Sequence, residues 1–111
     1  MSVVFKSYAK QVIDNIEQKK QVALEIIGGK AETYAKQLCP VDTGNLRNSI
    51  THQRAGKDTE VVGTNVEYAP YVELGHHTVS GKKVPGRPFL RPAAEDHGPE
   101  YQEIMNRIMG I

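Results

Sequence analysis

Residues 39–50 read "CPVDTGNLRNSI", and this stretch decides where the first element of the fold ends. Pro40 lacks a backbone donor and pushes the residue before it out of the helical region, so it predicts the end of the preceding helix. Asp42 or Thr43 is expected to cap a short helical turn that follows, and Gly44 relieves crowding in that turn. The stretch therefore separates a helical N-terminal region from the rest of the chain.

The triplet Asp42, Thr43 and Gly44 also matches the sequence that aspartic proteases carry at their catalytic carboxylate. Those enzymes need an almost wholly β fold in which two aspartates meet under apolar neighbours and share one proton. Here the triplet follows a long helical pattern, and polar residues such as Asn45 and Arg47 come after it. We therefore interpret it as a helix cap or tight turn, and we expect no catalytic residue in the chain.

Upstream of this stretch, apolar residues recur every three or four positions from Tyr8 to Leu38. This spacing predicts an amphipathic helix over residues 6–38. Gly28 and Gly29 interrupt it at a cost of about 1 kcal/mol each, so a bend or division is expected there. Unbroken, the helix would measure about 50 Å, longer than a globule of this size is wide, and it would then project toward a neighbour.

Downstream, β-branched residues flank a glycine-containing connection and predict an antiparallel hairpin over residues 49–64. Pro70 and Gly75 are placed to begin and end a short helix. Residues 76–87 hold turn formers and no acidic residue, and they predict a loop or a long hairpin. Residues 99–110 have helical spacing, so a C-terminal helix completes an α+β chain.

Length and composition limit the possibilities further. The 111 residues suit one domain over residues 1–111, and a net charge of +1 gives no overall attraction to nucleic acid or membrane. No apolar run is long enough for a signal peptide or a membrane span, so we expect the protein in the cytosol of its host. The single cysteine, Cys39, excludes an internal disulfide and is expected to be a buried thiol. With no tryptophan the core is limited, which predicts an oligomer.

Other chemical sites find little support. His76 and His77 are adjacent, so on a strand they would point to opposite faces and bind one metal ion poorly. Cys39 has no local histidine that could act as its base. Residues 28–30 lack the other positions of a phosphate-binding loop. We therefore expect no metal ligand and no cofactor.

Residues 82–91 carry Lys82, Lys83, Arg87 and Arg91 and no acidic residue. Such a cluster is most often a solvated loop, and a contact with another protein is the next interpretation. A small nucleic-acid-binding module that grips phosphate with this loop is the alternative function, which the nearly neutral total charge disfavours. The candidate interface residues are His76, His77, Lys82, Lys83 and Arg87.

Three segments taken together carry a resemblance: "CPVDTGNLRNSI", "YAPYVELG" and "GRPFLRPA". In this order and at similar spacing they are similar to blocks of the small neck and tail-completion proteins of long-tailed bacteriophages, which join head to tail. The matching positions are Pro40, Thr43, Gly44, Leu46 and Ser49 in the first block, Tyr68, Ala69, Tyr71, Val72, Glu73 and Gly75 in the second, and Pro88, Phe89, Leu90, Pro92 and Ala93 in the third.

The resemblance implies a long N-terminal helix, a small mostly antiparallel sheet and a C-terminal helix packed on that sheet. It also implies a structural virion protein without enzymatic activity, which forms rings, often hexameric, between the head connector and the tail tube. Its partners would be its own copies and phage connector and tail-tube proteins, with no small-molecule substrate and no membrane. It would assemble in the host cytoplasm and end in the virion neck.

The three blocks are expected to be architectural. Gly44 and Gly75 permit backbone turns that a side chain would obstruct. Leu46, Tyr71 and Phe89 are predicted core anchors. Proline at positions 88 and 92 would fix the approach to the last helix.

Overall fold

The computed structural model describes residues 2–40 and 44–110, with residues 2–9 described as backbone alone. The predicted cap at Asp42 or Thr43, and the place of Thr43 in the first block, lie outside the described residues. The fold is α+β, as predicted. Its elements are α1 (Ser2–Leu38), α2 (Asn45–Ser49), β1 (Thr51–Arg54), β2 (Glu60–Gly63), α3 (Ala69–Leu74), β3 (Gly75–His77), β4 (Lys83–Pro85), α4 (Leu90–Glu95) and α5 (Gly98–Met109).

The long helix α1 dominates the shape of the molecule. It runs as one helix from Ser2 to Leu38, and its 37 residues span about 55 Å at 1.5 Å per residue. The molecule measures 76 × 22 × 22 Å, and its radius of gyration is 19.4 Å. A compact chain of this length would have a radius near 13 Å, so the N-terminal part of α1 projects from the body. No helix within the described ranges is both long and apolar enough to cross a bilayer.

The glycine pair inside α1 does not divide it. A Cβ atom on Gly28 would lie 2.5 Å from Nδ1 of His52 and 2.7 Å from Cγ of Glu60, both on the hairpin β1–β2. The nearest atom to a Cβ on Gly29 would be 3.9 Å away. Gly28 therefore marks a close approach between the helix and the hairpin, where any side chain would obstruct packing.

The first hairpin pairs β1 with β2 in antiparallel register, with Thr51 opposite Gly63 and His52 opposite Val62. Its half-buried residues, among them His52 and Arg54, alternate with exposed ones along β1. This alternation follows from the two-residue period of a strand with one covered face. The covered face lies against α1.

A second antiparallel hairpin pairs β3 with β4, with Gly75 opposite Pro85 and His77 opposite Lys83. The strands therefore form two separate two-stranded sheets, where the resemblance implied one. Gly75 has φ +83°, and a Cβ there would lie 2.6 Å from the backbone of both Val84 and Gly86. The backbone turns sharply at Gly75 and lies close to the start of the third block.

The C-terminal helix α5 packs mainly along α1, and the shorter α4 contacts the first sheet at β2. This corrects the expectation that the C-terminal helix packs on the sheet. The physical reason lies in specific contacts with α1. The ring of Tyr34 stacks on His97 with centroids 3.6 Å apart, and its hydroxyl donates a hydrogen bond to the carboxylate of Glu100.

The core lies where α1, α2, α3 and α4 meet. Ile50 and Phe89 are 0% exposed, and Leu46 is also buried, so two of the three predicted anchors are core residues. The third prediction was wrong, because Tyr71 is 60% exposed. In the short helix α3 it is Ala69 that is buried in the core, and Tyr71 faces outward. The core cluster comprises Ala35, Cys39, Leu46, Ile50, Ala69, Phe89 and Ala93.

Candidate functional site

An open groove of about 560 Å³ lies between α3 and the hairpin β3–β4. Predicted site residues such as Tyr68, Tyr71 and His76 line its walls. The rings of Tyr71 and His76 meet edge to face, with their centroids 5.8 Å apart. Arg87 adds a positive charge at the rim, and Pro40 of the first block also lines the groove. The groove therefore gathers residues from all three regions that the sequence singled out.

The elements that line the groove also carry exposed apolar side chains outside it. Leu74 is 80% exposed at the end of α3, and Val79 at the tip of the hairpin is fully exposed. Exposed tyrosines together with an arginine are typical of the centres of protein–protein contacts. Exposed apolar side chains gathered on neighbouring elements often mark an interaction site.

The five candidate interface residues lie on the second hairpin or directly after it. His76 and His77 are in β3, both lining the groove, and Lys83 is in β4. Lys82 stands in the turn, where its N–H donates to Oγ1 of Thr78 at 3.1 Å and its carbonyl accepts the N–H of Thr78 at 2.8 Å. These two bonds close the turn, and the side chains of Lys82 and Lys83 are exposed.

Arg91 does not belong with these cations, although the sequence placed it in the same basic stretch. It lies in α4, and its Nε donates to Glu95 at 3.1 Å. The basic cluster is thus reduced to the hairpin and Arg87.

Glu73 ties the second block to the third. Its Oε1 accepts hydrogen bonds from the backbone N–H groups of Phe89 at 3.1 Å and Leu90 at 2.9 Å, and its Oε2 accepts that of Arg91 at 3.3 Å. These N–H groups belong to the start of α4, where no earlier turn can accept them. A carboxylate from α3 therefore caps α4, which is a structural use of the acid.

The remaining residues of the third block shape the same junction. The N–H of Arg87 donates to the carbonyl of Val72 at 2.7 Å, which holds the chain against α3. Pro88 directly precedes the buried Phe89, and Pro92 stands in the first turn of α4, where a missing N–H costs little.

The first block turns the chain from α1 into the hairpin. Gly44 has φ +78° and precedes α2, which suits a residue without a Cβ. The hydroxyl of Ser49 donates to the carbonyl of Leu46 at 2.6 Å and contacts the hydroxyl of Thr64 at 2.5 Å. Ser49 is thus engaged in closing α2 against the segment after β2.

A cluster that no sequence pattern indicated joins the first hairpin to α1. The imidazole of His52 places Nε2 3.8 Å from Glu25 and Nδ1 3.7 Å from Glu60. The side chain of Glu60 is 5% exposed, and its other oxygen lies 3.5 Å from Nε of Arg54. Arg54 in turn donates through Nη2 to the carbonyl of Gln21 at 3.0 Å.

The cluster brings polar groups of α1 and the first hairpin within 4 Å of one another, but Nδ1 of His52, Nε of Arg54 and both carboxylate oxygens of Glu60 make no hydrogen bond among the described residues. Ligand atoms of Glu25, His52 and Glu60 lie close enough together to hold a cation. However, the ring offers its two nitrogens to two different carboxylates, and Arg54 already faces Glu60 as a positive charge. No local sequence pattern indicated the cluster, because its members come from three different elements. The one available sign was Gly28, a residue without a side chain at the point where α1 approaches His52 and Glu60.

Comparison with known protein families identifies the family to which the chain belongs. A family model described as "Bacteriophage HK97-gp10, putative tail-component" matches residues 4–75, which include the first and second blocks. Neither a curated protein nor a solved structure matches the chain significantly. The matched range covers more than half of the chain and agrees with the phage resemblance of the first two blocks. The chain therefore belongs to the HK97-gp10-like family of bacteriophage tail components.

Proposed function

We propose that the protein is a ring-forming tail-completion or neck component that joins the head connector to the tail. The observation that carries the proposal is the use of the three blocks. Their polar and glycine residues build a scaffold around an exposed aromatic groove, and the groove is suited to hold another protein chain. Membership of a tail-component family supports the same conclusion.

A structural role is favoured over a catalytic one by what the polar side chains do. Glu73 is engaged in capping α4, and Ser49 is engaged in closing α2. His52 faces two carboxylates beneath α1, away from the groove. A catalytic site needs a nucleophile, a base and a group that stabilises developing charge at one place. Glu73, Ser49 and His52 instead lie at three separate places in the fold, where each contacts neighbouring elements.

The proposed partners are copies of the chain itself, arranged in a ring that is often hexameric in the proteins it resembles, and the connector and tail-tube proteins on either side. The hairpin with Lys82 and Lys83 stands clear of the core and is the proposed contact with the next subunit or the tube. The proposed location is the virion neck, after assembly in the host cytoplasm.

Complementation of a phage or prophage that lacks the gene tests the proposal. We expect filled heads and separate tails in its absence, joined particles with the wild-type chain, and few joined particles with the folded triple variant Lys82→Ala, Lys83→Ala, Arg87→Ala. A matched control is Lys10→Ala with Lys19→Ala, which removes charge from α1. Normal joined particles without the protein, or its absence from purified particles, would contradict the proposal.

The exposed lysines of the hairpin keep nucleic-acid binding as a second candidate function. Phosphate contacts would make binding fall steeply with salt. A DNA-binding titration at increasing salt, with and without Lys82→Ala and Lys83→Ala, separates the two candidates. Binding that is salt-dependent and lost in the double variant would favour the nucleic-acid module.

A further inference from the structure

The carboxylate of Glu60 is buried beneath α1 without a hydrogen bond. Its side chain is 5% exposed, and neither of its oxygens accepts a hydrogen bond from any described residue. A carboxylate that is withdrawn from water and left unpartnered is strongly unfavourable, so buried carboxylates are paired, hydrogen-bonded or bound to a metal ion. Glu60 therefore lacks a partner that the described part of the chain does not supply.

The two oxygens of Glu60 face different neighbours. Oε2 lies 3.5 Å from Nε of Arg54, whose Nη2 is held by the carbonyl of Gln21 at 3.0 Å. Oε1 lies 3.7 Å from Nδ1 of His52, and this buried nitrogen also makes no hydrogen bond within the described ranges. Arg54 thus faces one oxygen and leaves the other oxygen, with a ring nitrogen opposite it, available to a ligand between them.

The spacing of these atoms suits a metal ion. Two ligands at about 2.0–2.1 Å from a tetrahedral zinc ion lie about 3.3 Å from each other. The separation of 3.7 Å between Nδ1 of His52 and Oε1 of Glu60 is close to that value and too long for a hydrogen bond between them. An unprotonated ring nitrogen and an ionised carboxylate are both acceptors, so a cation between them satisfies both.

Glu25 of α1 completes the set. One ligand atom from each of Glu25, His52 and Glu60 lies within 4.8 Å of the other two. The side chain of Glu25 is 66% exposed, so it can turn toward an ion without disturbing the core. The same exposure gives an ion access from solvent and leaves a further position for water.

Gly28 provides the space in which two of these ligands meet. A Cβ atom on Gly28 would lie 2.5 Å from Nδ1 of His52 and 2.7 Å from Cγ of Glu60. Glycine is unfavourable in the interior of a helix, yet here any side chain would displace both ligands. The bare backbone of α1 therefore allows Nδ1 and Glu60 to approach each other.

We propose that Glu25, His52 and Glu60 bind one divalent transition-metal ion, best matched by zinc, and that the ion fastens the first hairpin to α1. Imidazole nitrogen and carboxylate oxygen are zinc ligands, and an imidazole in the set favours zinc over magnesium or calcium. Arg54 faces the second oxygen of Glu60, as the outer partners of ligating carboxylates do.

This proposal departs from the sequence-based expectation of no metal ligand. That expectation considered histidines that are neighbours in sequence, whereas the three proposed ligands come together only in the fold. The proposal is also independent of the head-to-tail joining function, because it concerns the stability of the subunit.

Zinc binding to the purified full chain, with any affinity tag removed and metal stripped by chelation, tests the proposal. Calorimetric titration with zinc chloride should show one ion per chain. Zinc at 100 times its dissociation constant should raise the thermal unfolding midpoint by at least about 5 °C, because the ion binds the folded state.

Variants locate the binding site. Glu25→Gln changes an exposed side chain and should weaken zinc binding at least tenfold while the metal-free protein stays folded. His52→Gln should abolish binding, and Glu25→Gln carries the test if that variant does not fold. The matched controls are His77→Gln and Asp14→Asn, which alter an exposed histidine and an exposed acid elsewhere and should bind zinc like wild type.

Two results overturn the proposal. An unfolding midpoint that zinc does not raise would mean that the buried atoms are served by water instead of an ion. Equal zinc affinity of the Glu25→Gln and His77→Gln variants would mean that zinc binds adventitiously elsewhere on the surface.

Discussion

Glu73 accepts the backbone N–H of Leu90 at 2.9 Å, so a side chain of α3 caps a helix that begins 17 residues later. The contact explains why a glutamate in one block and a Phe-Leu pair in the next occur together. It also makes the position of α4, and with it the buried Phe89, dependent on one carboxylate.

Removing this cap should destabilise the subunit. We expect Glu73→Ala to lower the free energy of unfolding by about 1–2 kcal/mol, the usual cost of losing a helix cap, and Glu73→Gln to lower it less because an amide oxygen still accepts. Urea unfolding followed by circular dichroism measures the change. Glu67→Ala, an exposed acid on the neighbouring segment, is the control, and an equal loss there would contradict the capping role.

The two adjacent glycines of α1 should respond in opposite directions to alanine. Gly29→Ala has room and should stabilise the helix by up to about 1 kcal/mol. Gly28→Ala would place a methyl group 2.5 Å from His52 and should destabilise the protein by about 1–3 kcal/mol. Thermal unfolding of both variants checks this. Stabilisation by both would mean that the hairpin does not approach α1 closely.

The contact between Tyr34 and Glu100 predicts a pH dependence. The hydrogen bond from Tyr34 holds the pKa of Glu100 below its ordinary value of 4.5. The unfolded state therefore binds the proton more tightly, and this stability is present above pH 4.5 and lost as pH falls through the lower folded pKa. We expect Tyr34→Phe to be less stable than wild type at pH 7 and to approach it in strong acid.

Urea midpoints measured between pH 7 and pH 2 test that convergence. The phenylalanine ring can keep the stack on His97, so the comparison isolates the hydroxyl. A difference between the two proteins that stays constant across this range would show that the hydrogen bond does not stabilise the ionised carboxylate.

Phe89 and Tyr71 should differ in what they contribute to stability. Phe89→Ala leaves a cavity in the core and should cost about 3–5 kcal/mol, because the side chain is 0% exposed. Tyr71→Ala should stay within about 0.5 kcal/mol of wild type, since its ring is mostly in solvent. Chemical denaturation of the two variants at low protein concentration makes the comparison. A large loss for Tyr71→Ala in the monomer would restore it as a core anchor.

The sequence predicted the features that depend on local pattern. The three-to-four residue spacing predicted α1, Pro40 its end, and the β-branched runs the first hairpin, because periodicity and backbone restriction act within a few residues. The prediction of burial was also confirmed at Leu46 and Phe89. It failed at Tyr71, because an aromatic residue in a short helix suits either the core or an interface, and pattern alone does not say which face is covered.

The sequence by itself determined the α+β class, the long first helix, the first hairpin and the phage tail-component family, since these follow from local propensities and from blocks in fixed order. Only the tertiary structure decided that Gly28 is a contact point, that Glu73 caps α4, and that His52 lies between two carboxylates. Each of these depends on distances between residues far apart in the chain. Such distances are set by how the elements pack, which no local pattern encodes.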